Sequence, residues 1–175
     1  MKKIMMTLAA VLCCAMATVF TSCSKSNDSD GDDKPSSNVV TVLYRFTVGQ
    51  AYIDYFDVHC IFTDINGNVN DYLCTGPANE YYDVVAYDKA PQNYEFSVIA
   101  YPKANHPAID PEGKYDVSCN YVTGVNVRTS ADAQGTLKII MGKSYTETKQ
   151  VKGSRLATML EEGEQVIIPK ITGTK

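Results

Sequence analysis

Apolar residues recur at every second position along most of the chain from Asn38 onward. This spacing is typical of β-strands, in which successive side chains point to opposite faces of a sheet. Within residues 53–63, the apolar series on one face consists of Phe56, Val58, Cys60 and Phe62. Because the same alternation continues almost to the C-terminus, the sequence predicts an all-β fold.

Turn-forming residues divide this region into eight predicted strands. Asn66-Gly67 supplies a hairpin turn, since this pair tolerates the positive φ angles of tight hairpins. Pro102, Pro107 and Pro111 mark a long loop, because proline lacks the N–H of a strand ladder. The predicted strands are Val39–Val48, Ile53–Thr63, Val69–Cys74, Glu80–Tyr87, Tyr94–Tyr101, Lys114–Val127, Gly135–Thr148 and Gln165–Thr172.

One short helix is predicted at Ser154–Glu162, with Ser154 as its N-terminal cap and Gly163 as its stop. Pro169 places the last strand at a sheet edge. Residues 38–175 are therefore expected to form a single immunoglobulin-like or transthyretin-like β-sandwich of about seven to eight strands, with one short helix near the C-terminus. A closed barrel is the alternative.

Residues 1–22 have the order of an export signal peptide. Lys2 and Lys3 form a positive end, residues 4–20 carry no charge, and two small residues precede Cys23. A positive end, an apolar centre and a small-residue cleavage site define secretory signals. An uncleaved membrane helix is the alternative, since residues 4–23 carry no charge and are just long enough to span a bilayer.

The segment Phe20-Thr21-Ser22-Cys23 resembles the lipobox of bacterial lipoproteins, although Phe20 stands where Leu or Val is usual. In that family the Cys thiol receives a diacylglycerol and the chain is cut before the Cys. The acidic run that follows resembles the surface-export signal of lipoproteins of the Bacteroides group. The resemblance implies lipidation of Cys23, attachment to the membrane through the lipid, and an outer-membrane location, with exposure on the cell surface.

Residues 23–37 contain no apolar side chain suited to burial beyond the lipidated Cys, so they predict a flexible acidic tether. The whole chain has a formal charge of −4, and removal of residues 1–22 takes two Lys away. Phosphate binding needs a basic stripe, and Lys and Arg do not cluster in this sequence. Nucleic acid is therefore not an expected partner.

Three cysteines follow the anchor: Cys60, Cys74 and Cys119. Cys60 and Cys119 fall on predicted inner faces, so they are candidate partners of an inter-sheet disulfide like that of immunoglobulin domains. The Trp of that pattern is missing. A Cys60–Cys74 bridge across the hairpin is one alternative, and three small buried thiols are another.

Residues of the kind used in catalysis and metal binding occur without their usual companions. Asp57 is on the same predicted face as His59, but no nucleophile joins them, because Cys60 points to the opposite face. The oxygen-rich stretch 64–71 departs from calcium-loop spacing and fits a hairpin turn better. The sequence therefore predicts no catalytic residues, no metal site and no cofactor.

Twelve tyrosines are present, and exposed Tyr rings combine an apolar face with a hydroxyl group suited to ligand contact. The candidate contacts are Tyr81, Tyr82, Tyr101 and His106. Tyr81 and Tyr82 are adjacent on a predicted strand and must face opposite ways. The alternative is that tyrosines line strands because they suit half-buried pleated surfaces.

These features predict a non-enzymatic binding or accessory module of the cell envelope, with an unknown protein or glycan ligand. A fimbrial or envelope assembly component that acts through sheet-edge pairing is the alternative. An envelope hydrolase is the third hypothesis, and it requires His59 or His106 beside a carboxylate in a deep pocket.

Overall fold

The computed structural model describes residues 38–128 and 137–175, which belong to one compact unit. The predicted signal peptide of residues 1–22 and the tether of residues 23–37, with its lipidation site Cys23, lie outside the described residues. No helix among the described residues is both long enough and apolar enough to cross a membrane.

Ten strands and two short helices make up the described fold, which is an all-β sandwich, as the alternation predicted. The elements are β1 (Val39–Val48), α1 (Gln50–Tyr55), β2 (Phe56–Thr63), β3 (Val69–Leu73), β4 (Ala78–Ala86), β5 (Asn93–Pro102), β6 (Lys114–Asp116), β7 (Cys119–Arg128), β8 (Leu137–Glu147), β9 (Gln150–Lys152), α2 (Gly153–Glu162) and β10 (Gln165–Thr174).

The strands form two four-stranded sheets and one small pair. The first sheet has the order β4-β1-β7-β8, the second has the order β10-β5-β2-β3, and β6 pairs with β9. All pairings are antiparallel. Each four-stranded sheet therefore has two edge strands, β4 and β8 in the first and β3 and β10 in the second.

The core lies between the two sheets, where the alternating apolar faces of β1 and β5 meet. Tyr44 of β1 stacks on Phe96 of β5, with ring centroids 5.1 Å apart and planes within 11° of parallel. The inner residues of β5 predicted from the alternation are fully buried, and they are Tyr94, Phe96, Val98 and Ala100. Complete burial of a Phe side chain contributes about 1.5–3 kcal/mol, so these contacts hold the two layers together.

Helix α1 replaces the predicted beginning of the second strand, because Ile53–Tyr55 are helical. Its buried residues are Ala51, Tyr52 and Tyr55. Residues three and four positions apart lie on one side of a helix, so Tyr55 packs on the same side as the first two. The prediction of a strand from Ile53 was wrong, and β2 begins at Phe56.

The predicted sixth strand, Lys114–Val127, is two strands in the structure, β6 and β7. With the additional short strand β9, the count rises from eight to ten. The chain leaves β6 at Asp116, and the Asp116 carboxylate accepts hydrogen bonds from the backbone N–H and the hydroxyl of Ser118. Val117 donates its backbone N–H to the carbonyl of Lys149. This turn moves the chain from the small β6–β9 pair into the first sheet, a change of partner that alternation does not reveal.

Helix α2 confirms the predicted C-terminal helix and its stop. Gly163 follows the helix with a φ of 84°, a left-handed value that glycine adopts without strain. Ser154 is not the cap, because the helix begins at Gly153 and no side chain caps it. The N–H groups of Gly153 and Ser154 instead donate to the carbonyls of Gly113 and Pro111 in the proline-rich loop.

One lateral side of the sandwich is closed by direct contact between β8 and β10. A Cβ atom added at Gly173 of β10 would lie 2.8 Å from the Met141 Cβ and 2.9 Å from the Ile140 carbonyl oxygen of β8. Glycine is thus required for this close approach. Pro169 lies within β10 at the outer edge of the second sheet, as predicted, and the pairing of β10 is irregular around it.

Candidate functional site: an aromatic cleft between two sheet edges

The opposite lateral side, where β3 and β4 are the edge strands, contains a cleft of about 400 Å³. These two strands follow one another in the chain but belong to different sheets, so residues 74–77 cross from the second sheet to the first. The cleft is lined by Tyr44, Phe46, Cys60, Phe62, Tyr72, Ala78, Asn79, Glu80 and Tyr81. Both sheets and both edge strands therefore contribute to it.

Aromatic rings form much of the cleft wall. Phe62 of β2 and Tyr81 of β4 lie 4.8 Å apart between ring centroids, and each ring also packs on Tyr44 of β1. The hydroxyl of Tyr81 accepts a hydrogen bond of 3.2 Å from the backbone N–H of Ile65. That bond fixes the Tyr81 ring against the β2–β3 turn, so the wall is held in place before any ligand arrives.

The hydroxyl group of Tyr44 is the most unusual polar atom of the cleft. Tyr44 is buried, and its hydroxyl oxygen has no hydrogen-bond partner among the described residues. Burial, with a smaller effect from the nearby Tyr94 and Tyr81, raises the pKa of this phenol far above its ordinary value, so the group stays protonated. A neutral hydroxyl without a partner can both donate and accept a hydrogen bond.

An amide group lies at the rim, and an ion pair lies nearby on the outer face of β1 and β4. The Arg45 guanidinium forms a salt bridge with the carboxylate of Glu80, and both side chains are partly exposed. The side-chain amide of Asn79 donates to the carbonyl of Gly76 at 2.9 Å. Glu80 lies on the same side of β4 as Tyr82, so this ion pair is on the outer face of the first sheet, where such pairs add little stability.

Cys60 contributes a thiol to the cleft. Burial raises the pKa of this thiol well above its ordinary range, with a further effect from the neighbouring Cys74. A protonated thiol is a weak nucleophile. The arrangement of rings, one unpartnered hydroxyl and a polar rim is suited to binding rather than to nucleophilic chemistry.

A second, smaller cleft of about 310 Å³ lies beside β5 and β10, and Tyr94 and Lys170 are among its lining residues. The hydroxyl of Tyr94 also has no hydrogen-bond partner among the described residues. Burial raises the pKa of Tyr94 to about 12. Lys170 pairs with Glu95 across this cleft, so its charge is already matched.

The four predicted ligand-contact residues are not brought together. Tyr81 lines the aromatic cleft, whereas Tyr82 points away from it and is 60% exposed, which confirms that the two rings face opposite ways. Tyr101 lies on the outer face of the second sheet, and His106 lies in the proline-rich loop. Only Tyr81 of the four lines the aromatic cleft.

His59 and Tyr101 form a small group on the outer face of the second sheet. Their rings meet edge to face with centroids 5.6 Å apart, and the Nδ1 atom of His59 lies 2.7 Å from a carboxylate oxygen of Asp71. The partner predicted from the sequence was Asp57, two residues away on the same strand. Asp71 bonds instead because β3 pairs with β2 and brings it diagonally beside His59.

His106 packs on Tyr55, with ring centroids 5.5 Å apart. Its Nδ1 atom is 2.9 Å from the carbonyl oxygen of Pro107, so the ring is held by its own loop. Neither His106 nor His59 lines either of the two clefts described above.

The predicted Cys60–Cys119 disulfide is not formed in the structure, where Cys60, Cys74 and Cys119 are free and buried. Cys119 pairs with Val48 at the end of β1, whereas Cys60 lies beside Tyr44 in the aromatic cleft. Cys60 therefore belongs to the second sheet and Cys119 to the first, and no bond joins them. Both lie on inner faces, as expected, but at different levels.

The oxygen-rich stretch after β2 forms the predicted hairpin turn. Asp64 accepts hydrogen bonds from the backbone N–H groups of Asn66 and Asn68 at 2.8 and 2.9 Å. Gly67 has a φ of 84°, as a left-handed turn position requires. No cluster of three potential metal ligands occurs in the described ranges 38–128 and 137–175.

Comparison with known proteins found no matching family model, no similar curated protein and no similar solved structure.

The residues that sequence reasoning missed are those of the cleft wall, above all Tyr44, Phe62 and Tyr72. The alternation placed Phe62 on an inner face, but it gave no sign that this face opens to solvent between β3 and β4. The short turn Cys74-Thr75-Gly76-Pro77 reads in the sequence as an ordinary connection, because only the structure shows that it joins two different sheets.

Proposed function

We propose that this protein is a non-enzymatic binding module of the cell envelope, which holds its ligand in the aromatic cleft between β3 and β4. The observation that carries the proposal is the buried, unpartnered hydroxyl of Tyr44 beside the rings of Phe62 and Tyr81. In this proposal the lipid on Cys23 and the tether of residues 23–37 keep the module at the membrane, as the lipobox resemblance implies.

Energetics support a ligand at this position. A buried polar group without a partner destabilises a fold by about 1–3 kcal/mol. Small-molecule sites have volumes of about 300–1,000 Å³ and combine apolar walls with a few polar groups. The cleft has this size and this composition, and a ligand that displaced the side chains covering the Tyr44 hydroxyl and bonded to it would remove the cost.

The chemistry of the wall favours a saccharide among the possible ligands. The C–H face of a sugar ring packs on flat aromatic rings such as Tyr81 and Phe62, and its hydroxyl groups both donate and accept hydrogen bonds. Tyr44 and Asn79 provide matching polar atoms at the floor and the rim. The proposed ligand class is therefore a short glycan.

Binding of the detergent-purified full chain to a glycan array tests the proposal, followed by titration calorimetry with the best saccharide. We expect Tyr44→Phe to weaken binding about fivefold, because one hydrogen bond of ~1 kcal/mol is lost. Tyr81→Ala should weaken it about thirtyfold, as loss of a central aromatic contact does. Tyr82→Ala is the matched control, since the ring of Tyr82, next to Tyr81 in the chain, faces away from the cleft.

Two outcomes would contradict the saccharide site. The array could give no signal above that of the Tyr44→Phe, Tyr81→Ala double variant, or Tyr82→Ala could weaken binding as much as Tyr81→Ala. A peptide-array signal lost in the same cleft variants would keep the site but change its ligand class to protein.

The anchor is tested separately from the ligand. We expect intact-protein mass spectrometry to find a mature chain that begins at acylated Cys23, and Cys23→Ala to leave the chain unlipidated and uncleaved at that site. Proteinase treatment of intact cells should release the folded domain if the lipoprotein faces outward. A native mature chain that begins elsewhere, without acyl groups, would remove the anchor from the proposal.

Edge pairing through β3 is a second candidate function, because this edge strand exposes several apolar side chains. Tyr72 and Leu73 are 50% and 48% exposed, and Val69 is exposed as well. Edge strands of this kind pair readily with a strand of another chain. Association that depends on concentration and is abolished by Leu73→Lys, but not by Val166→Lys on the β10 edge, would favour assembly.

The hydrolase hypothesis receives no support from the placement of the two histidines. His59 lies on an outer sheet face beside Asp71, and His106 lies in a loop. Neither is in a cleft with a nucleophile, as hydrolysis through an activated side chain requires.

A further inference from the structure

Two of the three buried cysteines lie next to each other on β2 and at the end of β3. In the β2–β3 pair, Cys60 is opposite Tyr72. Cys74 continues β3 by one residue, and its backbone N–H donates to the Val58 carbonyl at 2.8 Å. Cys60 and Cys74 are therefore diagonal neighbours on the inner side of one hairpin.

The Cys74 side chain leans toward the level of Cys60. Its sulfur lies 3.9 Å from the carbonyl oxygen of Tyr72, the residue opposite Cys60. Cys74 is close enough to Cys60 to contribute to the raised pKa of the Cys60 thiol. Both thiols are free and buried.

The register places this pair at a spacing slightly wider than that of a disulfide. Diagonal neighbours in an antiparallel pair are separated by about 7–8 Å, and a disulfide needs about 4.4–6.8 Å between Cα atoms. Cys74 lies just after β3, at the beginning of the crossing segment, so a shift of its backbone along β2 leaves the pairing of β3 in place. Cys119, by contrast, lies at the other end of β1 beside Val48.

We propose that Cys60 and Cys74 form a disulfide that closes the hairpin beneath the aromatic cleft. The oxidant is a disulfide, either that of an exported thiol–disulfide oxidoreductase or oxidised glutathione. One Sγ–Sγ bond forms between Cys60 and Cys74 as the two thiols lose two electrons and two protons. The S–S bond of the oxidant takes up both and is cleaved into two thiols.

The location of the pair sets how the reaction proceeds. Burial raises the pKa of Cys74 to about 11, although the backbone N–H of Cys60 lowers it. Thiolate attack in the closed fold is therefore slow. Because β3 is an edge strand with exposed side chains, local opening of β3 gives the oxidant access without unfolding of the sandwich. The disulfide then fixes the point where the chain leaves the second sheet for the first.

Peptide mass spectrometry of the full chain tests the proposal without any ligand. The protein is incubated in reduced or oxidised glutathione buffer, free thiols are alkylated, and the chain is cut before Asp residues under non-reducing conditions. Cleavage at Asp64 and Asp71 separates the two cysteines. We expect peptides 57–63 and 71–82 to be joined after oxidation, at the mass of their sum less two hydrogens, while Cys119 remains alkylated.

A stability measurement accompanies the peptide map. Oxidised protein should have a higher urea midpoint than reduced protein, since the bond restricts the unfolded chain. Cys74→Ala should abolish this difference and the joined peptide, whereas Cys119→Ala should preserve both. Cys74 lies at the end of an edge strand, so we expect the Cys74→Ala protein to fold.

Two results would overturn the proposal. One is full alkylation of both Cys60 and Cys74 after prolonged oxidation in a denaturant concentration that opens β3, and the other is a dominant bond from either residue to Cys119. The readout is covalent mass, so failure of this proposal leaves the saccharide proposal intact, and loss of glycan binding leaves the disulfide intact.

Discussion

The two lateral sides of the sandwich differ in how their edge strands meet. On one side β8 and β10 touch, with Gly173 so close to Met141 that a Cβ atom has no room. On the other side β3 and β4 stand apart around a cleft of about 400 Å³. One side of the sandwich is thus tightly packed. The other side has an open cleft and exposed side chains that a partner could contact.

The comparison teaches where stability and binding lie in this molecule. Inner residues near the closed side, such as Ile171 and Met141, are buried, and removing their contacts leaves cavities. Side chains of the open side, such as Tyr72 and Leu73, are half exposed, so they contribute less to folding. Substitutions on the two sides should therefore have different effects.

The largest difference is expected for apolar truncation. Ile171→Ala on the closed side should lower the free energy of unfolding by about 2–4 kcal/mol, since a buried side chain is lost and a cavity remains. Leu73→Ala on the open side should lower it by less than about 1 kcal/mol, as partly exposed positions do. Urea denaturation of both variants measures the difference, and equal losses would refute the distinction between the sides.

The next effect comes from adding a methyl group to glycine. Gly173→Ala should lower the free energy of unfolding by about 1–3 kcal/mol, because β8 and β10 must separate. Gly76→Ala is the matched control in the segment between β3 and β4, where a Cβ atom would meet nothing within 4 Å. That control should change stability by less than about 0.5 kcal/mol. A neutral Gly173→Ala would show that the closed side has spare room.

Two tyrosines of the open side should respond in opposite directions. Tyr44→Phe removes an unpartnered buried hydroxyl and should raise the free energy of unfolding by about 1 kcal/mol in ligand-free protein. Tyr81→Phe removes the acceptor for the Ile65 N–H and should lower it by about 1 kcal/mol. Differential scanning calorimetry of both variants measures the direction of each change in the free energy of unfolding. A loss of stability in Tyr44→Phe would mean that the hydroxyl is bonded in solution.

The smallest effect concerns pH and the turn beside the cleft. Burial raises the pKa of the Asp64 carboxyl, but hydrogen bonds from Asn68 and Asn66 outweigh it and hold the pKa below its usual value. The resulting stability is complete above the unfolded-state pKa of about 3.9 and is lost as pH falls through the lower folded-state value. Because the group is partly exposed, the contribution should stay below about 1 kcal/mol.

Asp64→Ala isolates this contribution. The stability difference between wild type and variant, measured by urea unfolding, should be present at neutral pH and shrink as pH falls below the unfolded-state pKa and the folded carboxyl is protonated. An unchanged difference across this range would show that the carboxylate charge has no part in the turn. Asp88→Ala is a control for general charge effects, since it changes the net charge equally.

Much of the secondary structure followed from the sequence because it depends on neighbouring residues. The period of two gave β1 its bounds and its buried face, and the same pattern gave the inner face of β5. The turn at Gly67 and the end of α2 at Gly163 require left-handed backbone angles that glycine adopts without strain. Helix α1 was missed, because its buried residues fall in a stretch of six residues, too short for a helical period to emerge.

The cleft and its chemistry depended on contacts between residues distant in the chain. Sequence placed Cys60 and Cys119 on inner faces but could not give their levels, which the register of β1 with β7 decided. It named Tyr81 but not Tyr44, because only the separation of β3 and β4 turns their inner faces into a cleft. Local periodicity specifies which side of a strand a residue occupies, whereas the pairing of strands specifies what lies across from it.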